Sequence, residues 1–196
     1  MGNIKKGLLI VLSGPSGVGK GTVRKVLFKD SSLNLAYSIS MTTRSPRKKE
    51  QEGRDYFFVS KEEFEKRIKN DQLLEHAFFV GNYYGTPKEY VERLRNEGKN
   101  VFLEIEVEGA RQVLEKCKGD DVISIFLLPP SLEELERRIR GRESESEAII
   151  QERLQKARRE INLKDRYQYA VMNDNIYKAA DEIAQIIKDR LKKLNK

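Results

Sequence analysis

The chain has 196 residues, 38% of them hydrophobic and 35% charged, and its 38 basic and 31 acidic side chains leave a net charge of +7. That length allows one sizeable core, with room for mobile inserts. A single cysteine, Cys117, excludes an internal disulfide and suits a reducing compartment. With no second cysteine and one distant histidine, His76, a metal site built on thiolate and imidazole is not expected. The basic excess fits either a solvated lysine-rich surface or a polyanionic ligand; no basic run is long enough to compel a nucleic-acid partner. The first apolar run is too short, and too soon broken by Gly14-Pro15, for a signal peptide or membrane span. A cytoplasmic location is expected, and the sequence points to no particular oligomeric state.

In chain order, residues 8–12 (Leu-Leu-Ile-Val-Leu) read as a strand and 20–29 as a helix, with a short strand at 35–39. Residues 40–54 are polar, basic and aperiodic, the mark of a functional or disordered loop. A strand at 55–59 precedes a helix to about 69, where Ser60 and Glu63 form a capping box. Residues 73–80 read as a strand, 82–85 as a turn, and Pro87 sits in the first turn of a helix that Gly98 closes. The run at 100–106 is a buried strand with acidic residues at its end, followed by a helix at 108–116. The nearly all-apolar 122–128 has the composition of a strand covered on both faces. Ser131 and Glu134 cap the next helix, Gly141 interrupts it, and 142–147 read as a polar hinge. A helix at 148–165, with Ile149, Ile150, Leu154, Ala157 and Ile161 inward, a strand at 167–172 and a closing helix at 176–194 complete the chain. Strands alternating with helices predict an α/β fold, a parallel sheet core flanked by helices. Residues 36–90, richer in short strands and turns, read as an inserted mixed α+β domain beside a core of 1–35 and 91–196.

The chemistry concentrates in four places. The first is Gly14-Pro15-Ser16-Gly17-Val18-Gly19-Lys20-Gly21-Thr22, between the first strand and the first helix. Its three glycines let backbone N–H groups converge on an anion, the helix start adds positive dipole, and Lys20 brings a full charge to the β- and γ-phosphates. This is a P-loop of the Walker A type, with Gly21 where Ser or Thr usually meets Mg²⁺, and Thr22 next. A plain glycine-rich turn would leave Lys20 and the third glycine unexplained.

The second place is the insert, with Ser38, Arg44, Arg47, Tyr56, Glu75, Tyr84 and Thr86. Two arginines and two tyrosines around a polar loop can clamp a phosphate, because guanidinium forks match its oxygens and tyrosine hydroxyls donate to them. Glu75 stands in the apolar run Leu73-Leu74-Glu75-His76-Ala77-Phe78-Phe79, where a carboxylate needs a partner or must face solvent. Guanine offers N1–H and N2–H₂ on one edge, both accepted by one carboxylate; adenine has an acceptor at N1. The third place is an arginine group, Arg137, Arg138, Arg140, Arg142, Arg153, Arg158 and Arg159, which flanks the hinge as a lid over a transferring phosphoryl group would. The fourth is Glu104 and Glu106; one of them can orient Mg²⁺ through water or bind an acceptor nucleotide.

Along nearly its whole length the sequence resembles guanylate kinase. The resemblance rests on Ser13 to Lys20, Ser38 to Arg47 (with Thr42-Thr43-Arg44-Ser45-Pro46-Arg47), Gly53-Arg54-Asp55-Tyr56-Phe57-Phe58, Tyr83-Tyr84-Gly85-Thr86-Pro87, Gly141-Arg142 and Val171-Met172-Asn173-Asp174. It implies a P-loop NTPase-type core, a GMP-binding insert and a short helical lid near 138–156, with transfer of the γ-phosphate of ATP to GMP. It puts the GMP phosphate on Arg44, Arg47, Tyr56 and Tyr84, and guanine on Ser38, Glu75 and Thr86, with Glu104 and Glu106 beside the acceptor. Lys20, Arg138, Arg142 and Arg153 would serve the transferring phosphates, with Arg142 and Asn173 near the adenine. Two positions depart from the pattern. Family members often carry Ser after the loop lysine, and Asp-x-Asp where this chain has Glu104-Ile105-Glu106. Mg²⁺ is therefore expected mainly on ATP phosphates and water.

Overall fold

The computed structural model describes residues 5–141 and 146–194. In chain order its elements are β1 (Leu9–Ser13), α1 (Lys20–Leu27), β2 (Leu35–Tyr37), β3 (Met41–Thr42), β4 (Phe57–Phe58), α2 (Lys61–Lys69), β5 (Leu73–Phe79) and β6 (Asn82–Pro87). They continue with α3 (Lys88–Asn96), β7 (Asn100–Glu104), α4 (Val107–Lys116), β8 (Val122–Leu128), α5 (Leu132–Arg140), α6 (Glu147–Ile161), β9 (Tyr169–Met172) and α7 (Ile176–Leu194).

Five strands form a parallel sheet in the order β2-β7-β1-β8-β9. The apolar run of residues 8–12, which leads through β1, explains itself here. Leu8, Ile10 and Leu12 face one side, with Phe102, Ile125, Val23 and Ile183, under α1 and α7. Leu9 and Val11 face the other, with Val101, Leu103, Val91 and Val113, under α3 and α4. A central strand buried on both faces has no polar side to show, so hydrophobicity is continuous rather than alternating. The sheet order brings the ends of β1, β7 and β8 together at one edge, where ligands of such folds lie.

The second sheet is mixed and runs β4-β3-β6-β5, with Met41, Phe64 and Leu73 as its small core. Residues 40–54 therefore contain a whole strand, the two-residue β3, too short to show a period. The predicted turn at 82–85 is also strand. The chain reverses at Val80 and Gly81, both with positive φ (46° and 77°), as a two-residue hairpin of the primed kind requires. A β-branched residue is disfavoured in that conformation, so propensity gave no signal for it. Gly85 is a packing glycine within β6: a Cβ there would lie 2.8 Å from the Glu75 carbonyl oxygen and 3.0 Å from the Phe64 ring. The boundaries expected at 36 and 90 fall inside β2, which belongs to the parallel sheet, and inside α3, whose Val91 packs against it.

Helices α5 and α6 pair through Leu135, Ile139, Ile150, Leu154 and Ala157. Ile149 lies off that stripe and is 46% exposed. Both expected capping contacts form: Ser60 Oγ accepts from Glu63 N, and Ser131 Oγ from Glu134 N, each at 3.1 Å.

At the amino-terminal edge of the sheet, far from the loop, Arg95 is 3% exposed and donates to Gly7 O and Glu92 Oε1, both at 2.9 Å, and to Asp121. It ties α3 to the segments that enter β1 and β8. Removing it strands a buried carbonyl and unpairs Asp121, so Arg95→Ala is expected to cost about 3 kcal/mol. Urea unfolding should show a lower midpoint with an unchanged slope, and an unchanged midpoint would refute the role.

Candidate active site

β1 ends at Ser13 and the chain turns at once through Gly14 (φ 148°), Gly17 (φ 86°) and Gly19 (φ 103°) into α1. A Cβ at Gly14 would lie 2.5 Å from Leu127 O, and one at Gly19 would lie 2.6 Å from Asn173 Nδ2. Both positions need glycine for conformation and for space. Val18 is fully buried and anchors the loop, and its N–H donates to Pro15 O at 3.2 Å. Lys20 opens α1 and donates to Gly14 O at 2.6 Å and Pro15 O at 3.2 Å, folded across the loop that would hold phosphates. Burial lowers the pKa of its ammonium, against the opposing pull of Glu106, Glu104 and Glu160. Thr22 follows, its N–H bonded to Gly19 O at 3.1 Å.

Side chains from distant elements brace this loop. Asn173, 2% exposed just past β9, donates from Nδ2 to Val18 O at 2.8 Å. Arg138 of α5 donates to Val18 O at 3.2 Å and to Asn173 O at 3.1 Å, while its Nε bonds Glu134 at 2.8 Å. Arg153 of α6 donates to Ser16 Oγ at 2.6 Å. Two of the expected lid arginines thus already stand on the phosphate loop. Arg142 lies outside the described residues. A cavity of about 520 Å³ opens beside the loop, lined by Gly17, Gly19, Thr22, Arg138, Asn173 and Tyr177 among others.

The two carboxylates after β7 have separate surroundings. Glu104 pairs with Arg24 Nε at 2.8 Å, and its Oε1 lies 3.3 Å from where a Cβ at position 21 would stand. Glu106 pairs with Lys156 of α6 at 2.9 Å, and Lys156 also lies 3.6 Å from Glu160. Burial acts to raise the Glu106 carboxyl, but Lys20, Lys156 and Arg153 together outweigh it and hold the group low. Burial does raise Glu160, which is 7% exposed, with Lys156 opposing.

In the second sheet Arg44 meets Tyr56, its guanidinium 5.5 Å from the ring centroid, and the Tyr56 and Tyr84 rings lie 6.2 Å apart. Arg44 is engaged by Glu50, with NH2 to both carboxylate oxygens at 2.8 and 2.9 Å, and Glu50 also accepts from Arg47 N at 2.8 Å. Arg47 joins the group through its backbone while its side chain is exposed. Glu75 is 7% exposed and accepts from Thr86 Oγ1 at 2.6 Å. Its other oxygen lies 2.9 Å from where a Cβ at Gly109 would stand, so α4 packs against it only because residue 109 is glycine. Burial raises the Glu75 carboxyl and the Thr86 bond pulls it partly back. Ser38 is 5% exposed, and its Oγ has no hydrogen-bond partner among the described residues.

The chain thus carries a glycine-rich loop between β1 and α1 and, in the second sheet, a group of Arg44, Tyr56 and Tyr84 with the buried Glu75–Thr86 pair. A family model described as guanylate kinase matches residues 6–190. The chain belongs to the guanylate kinase family. A guanylate kinase from Bacillus cereus (strain ZK / E33L) is 56% identical over 183 residues, which cover 93% of this chain and 88% of that one. One from Mycoplasma capricolum is 55% identical over 184 residues, 94% of this chain but 61% of the relative's length. The crystal structure of guanylate kinase from Anaplasma phagocytophilum superposes with a TM-score of 0.71 at 37% identity, covering 94% of this chain and 86% of that one. The resemblance read from the sequence is borne out, and with it the α/β architecture and the assignment to ATP:GMP phosphotransferases.

Sequence reasoning missed Glu50, Gly109, Tyr177 and the hold of Asn173 on the guanylate kinase phosphate loop. Glu50 had a faint signal, an acid three residues after Arg47 in a basic loop. The others depend on contacts between distant segments. Among the described residues no helix is long and apolar enough to cross a membrane, and no group of three or more His, Cys, Asp or Glu is placed to hold a metal.

Proposed function

We propose that these residues serve one in-line transfer, in which an oxygen of the GMP phosphate bonds to the γ-phosphorus of ATP as the bond to the β-phosphate oxygen breaks, giving GDP and ADP. The observation that carries this reading is the pairing of a braced phosphate loop with a separate clamp, Arg44, Tyr56 and Tyr84, next to the buried Glu75–Thr86 pair. The acceptor is already anionic at neutral pH, so no strong base is needed and catalysis is positioning and charge stabilisation.

In this reading Gly14 to Thr22 hold the ATP phosphates through backbone N–H groups, and Lys20 leaves the Gly14 and Pro15 carbonyls for the γ-phosphate. Arg138 and Arg153 exchange Val18 and Ser16 for phosphate oxygens; Arg142 joins them by family resemblance. Arg44 exchanges Glu50 for the GMP phosphate, with Arg47, Tyr56 and Tyr84. Glu75 accepts the guanine N1–H and N2–H₂, flanked by Ser38 and Thr86. Asn173 keeps the loop in shape at the side where adenine would lie. Enzymes of this kind generally need Mg²⁺, which screens the charge gathered on the phosphates. The residues present fit such a cation: the phosphates are the main donors, and Glu104 sets a hard oxygen against the loop at Gly21. A reducing, cytoplasmic setting accords with the free Cys117, and ATP and GMP are the partners the site calls for.

The clamp is tested by Arg44→Met. The KM for GMP should rise about a hundredfold, the loss of ~3 kcal/mol of charge-assisted hydrogen bonding, with the KM for ATP unchanged. Initial-rate kinetics in both substrates decide it; an unchanged GMP KM would remove Arg44 from the acceptor site.

A further inference from the structure

We propose that Tyr177, in the first turn of α7, is the platform on which the base of the phosphate donor stacks. The inference rests on the phosphate-transfer reading above and adds to it a donor-binding residue that neither motif spacing nor family resemblance supplies.

The chain has eight tyrosines, and Tyr177 is the one that stands exposed, at 66%. Among the described residues its ring meets no other ring and its hydroxyl has no hydrogen-bond partner. A single exposed aromatic is ordinary on a protein surface. What sets this one apart is its position. Tyr177 lines the cavity of about 520 Å³ beside the phosphate loop, together with Gly17, Gly19 and Thr22 of the loop itself. That volume suits a small-molecule ligand. Lys20, which serves the γ-phosphate, is not part of the lining, so the cavity flanks the loop instead of its reacting end. A nucleoside triphosphate whose phosphates fill the loop must place its base beside it. Tyr177 supplies the only aromatic ring among the described residues that line this space.

The ring is also carried on a fixed support. Asn175 Oδ1 accepts from the N–H groups of Tyr177 at 2.9 Å and Lys178 at 3.2 Å, which caps the start of α7. Just beyond, Ala179, Ala180 and Ile183 are buried with Val23 and Leu27 of α1 in one core. Helix α1 begins at Lys20, directly after the last loop glycine. The helix that bears the ring therefore packs on the helix that anchors the loop, and little ordering remains to be done when a nucleotide binds. A base stacked on such a ring gains about a factor of ten or more in affinity, because every base offers an aromatic face. Stacking reads that face and not the hydrogen-bonding edge. Tyr177 thus contributes affinity for the donor, while discrimination among acceptors stays with Glu75 in the second sheet.

The test uses the full chain with Mg²⁺ present throughout. ATP is the donor probe, and inorganic tripolyphosphate offers a phosphate chain without a base. Both affinities are measured by calorimetry, and the KM for GMP by initial rates. Tyr177→Ala should weaken ATP binding about tenfold, with tripolyphosphate affinity and the GMP KM within about twofold of the parent. Tyr177→Phe should keep ATP affinity within about twofold, since the ring and not the hydroxyl does the stacking. The chain has no tryptophan, so Tyr177→Trp places a single reporter at the cavity. Its fluorescence should be quenched by ATP and left unchanged by tripolyphosphate. Parental ATP affinity in Tyr177→Ala, an equal loss for tripolyphosphate, a full loss in Tyr177→Phe, or tryptophan emission indifferent to saturating ATP would each overturn the proposal. A parent chain that binds neither ATP nor tripolyphosphate would instead overturn the phosphate-loop reading beneath it.

Discussion

Replacing Lys20 by alanine should lower kcat about a thousandfold, ~4 kcal/mol, with a change in melting temperature of no more than about 2 °C. The asymmetry follows from where the ammonium sits. Its bonds are to the Gly14 and Pro15 carbonyls of the loop itself, and the folded chain gains little from them because burial of the charge opposes their formation. The charge matters when negative phosphate oxygens converge on the loop and gain density on the leaving side. Glu106 and Glu104 pull against that burial and partly offset it. Steady-state kinetics with a thermal melt check both halves. A Lys20→Ala protein turning over at near the parental rate would exclude the role, and one that fails to fold would show the lysine to be structural.

Glu75→Gln should lower kcat/KM for GMP about a hundredfold, ~3 kcal/mol, and leave ATP binding alone. Glutamine keeps the shape and the Thr86 contact but replaces one acceptor by a donor, which then faces a guanine donor. The same carboxyl sets a pH dependence. Burial raises its pKa above the ordinary 4.5 in the free protein, and guanine's two N–H groups favour the ionised form. Binding of GMP therefore releases a proton below that raised pKa. The affinity for GMP should climb as pH rises from 4.5 through it and then level off. In Glu75→Gln this rise should vanish while the pH profile for ATP stays as in the parent. Equal pH profiles for GMP in both proteins would end the base-recognition role.

Much of this was legible from residues alone, and the reason is local chemistry. The glycines and lysine of the phosphate loop lie within nine positions and carry their own geometry. Ser60 with Glu63 and Ser131 with Glu134 are capping pairs set by helical spacing. The largely apolar runs of β1 and β8 announce a sheet covered on both faces, and Glu75 stood out because a carboxylate in such a run needs a reason. What was not legible is tertiary. Arg153 reaches Ser16 across 137 positions and Asn173 reaches Val18 across 155, and no period or motif encodes such a meeting. The hairpin at Val80-Gly81 was hidden because valine is a poor residue for positive φ, and Gly85 nearby offered a false turn signal. Glu50 looked like one more charge in a polar loop until it closed on both Arg44 and the Arg47 backbone.

The decisive measurement is the stoichiometry of transfer from ATP, followed as ADP and as phosphorylated acceptor, with GMP, AMP, UMP and CMP offered in turn. Fast ADP formation with GMP alone, matched mole for mole by GDP and without free phosphate, is the outcome expected of the loop, clamp and Glu75 acting as one site. Comparable rates with the other monophosphates, or ADP released with phosphate and no GDP, would contradict it.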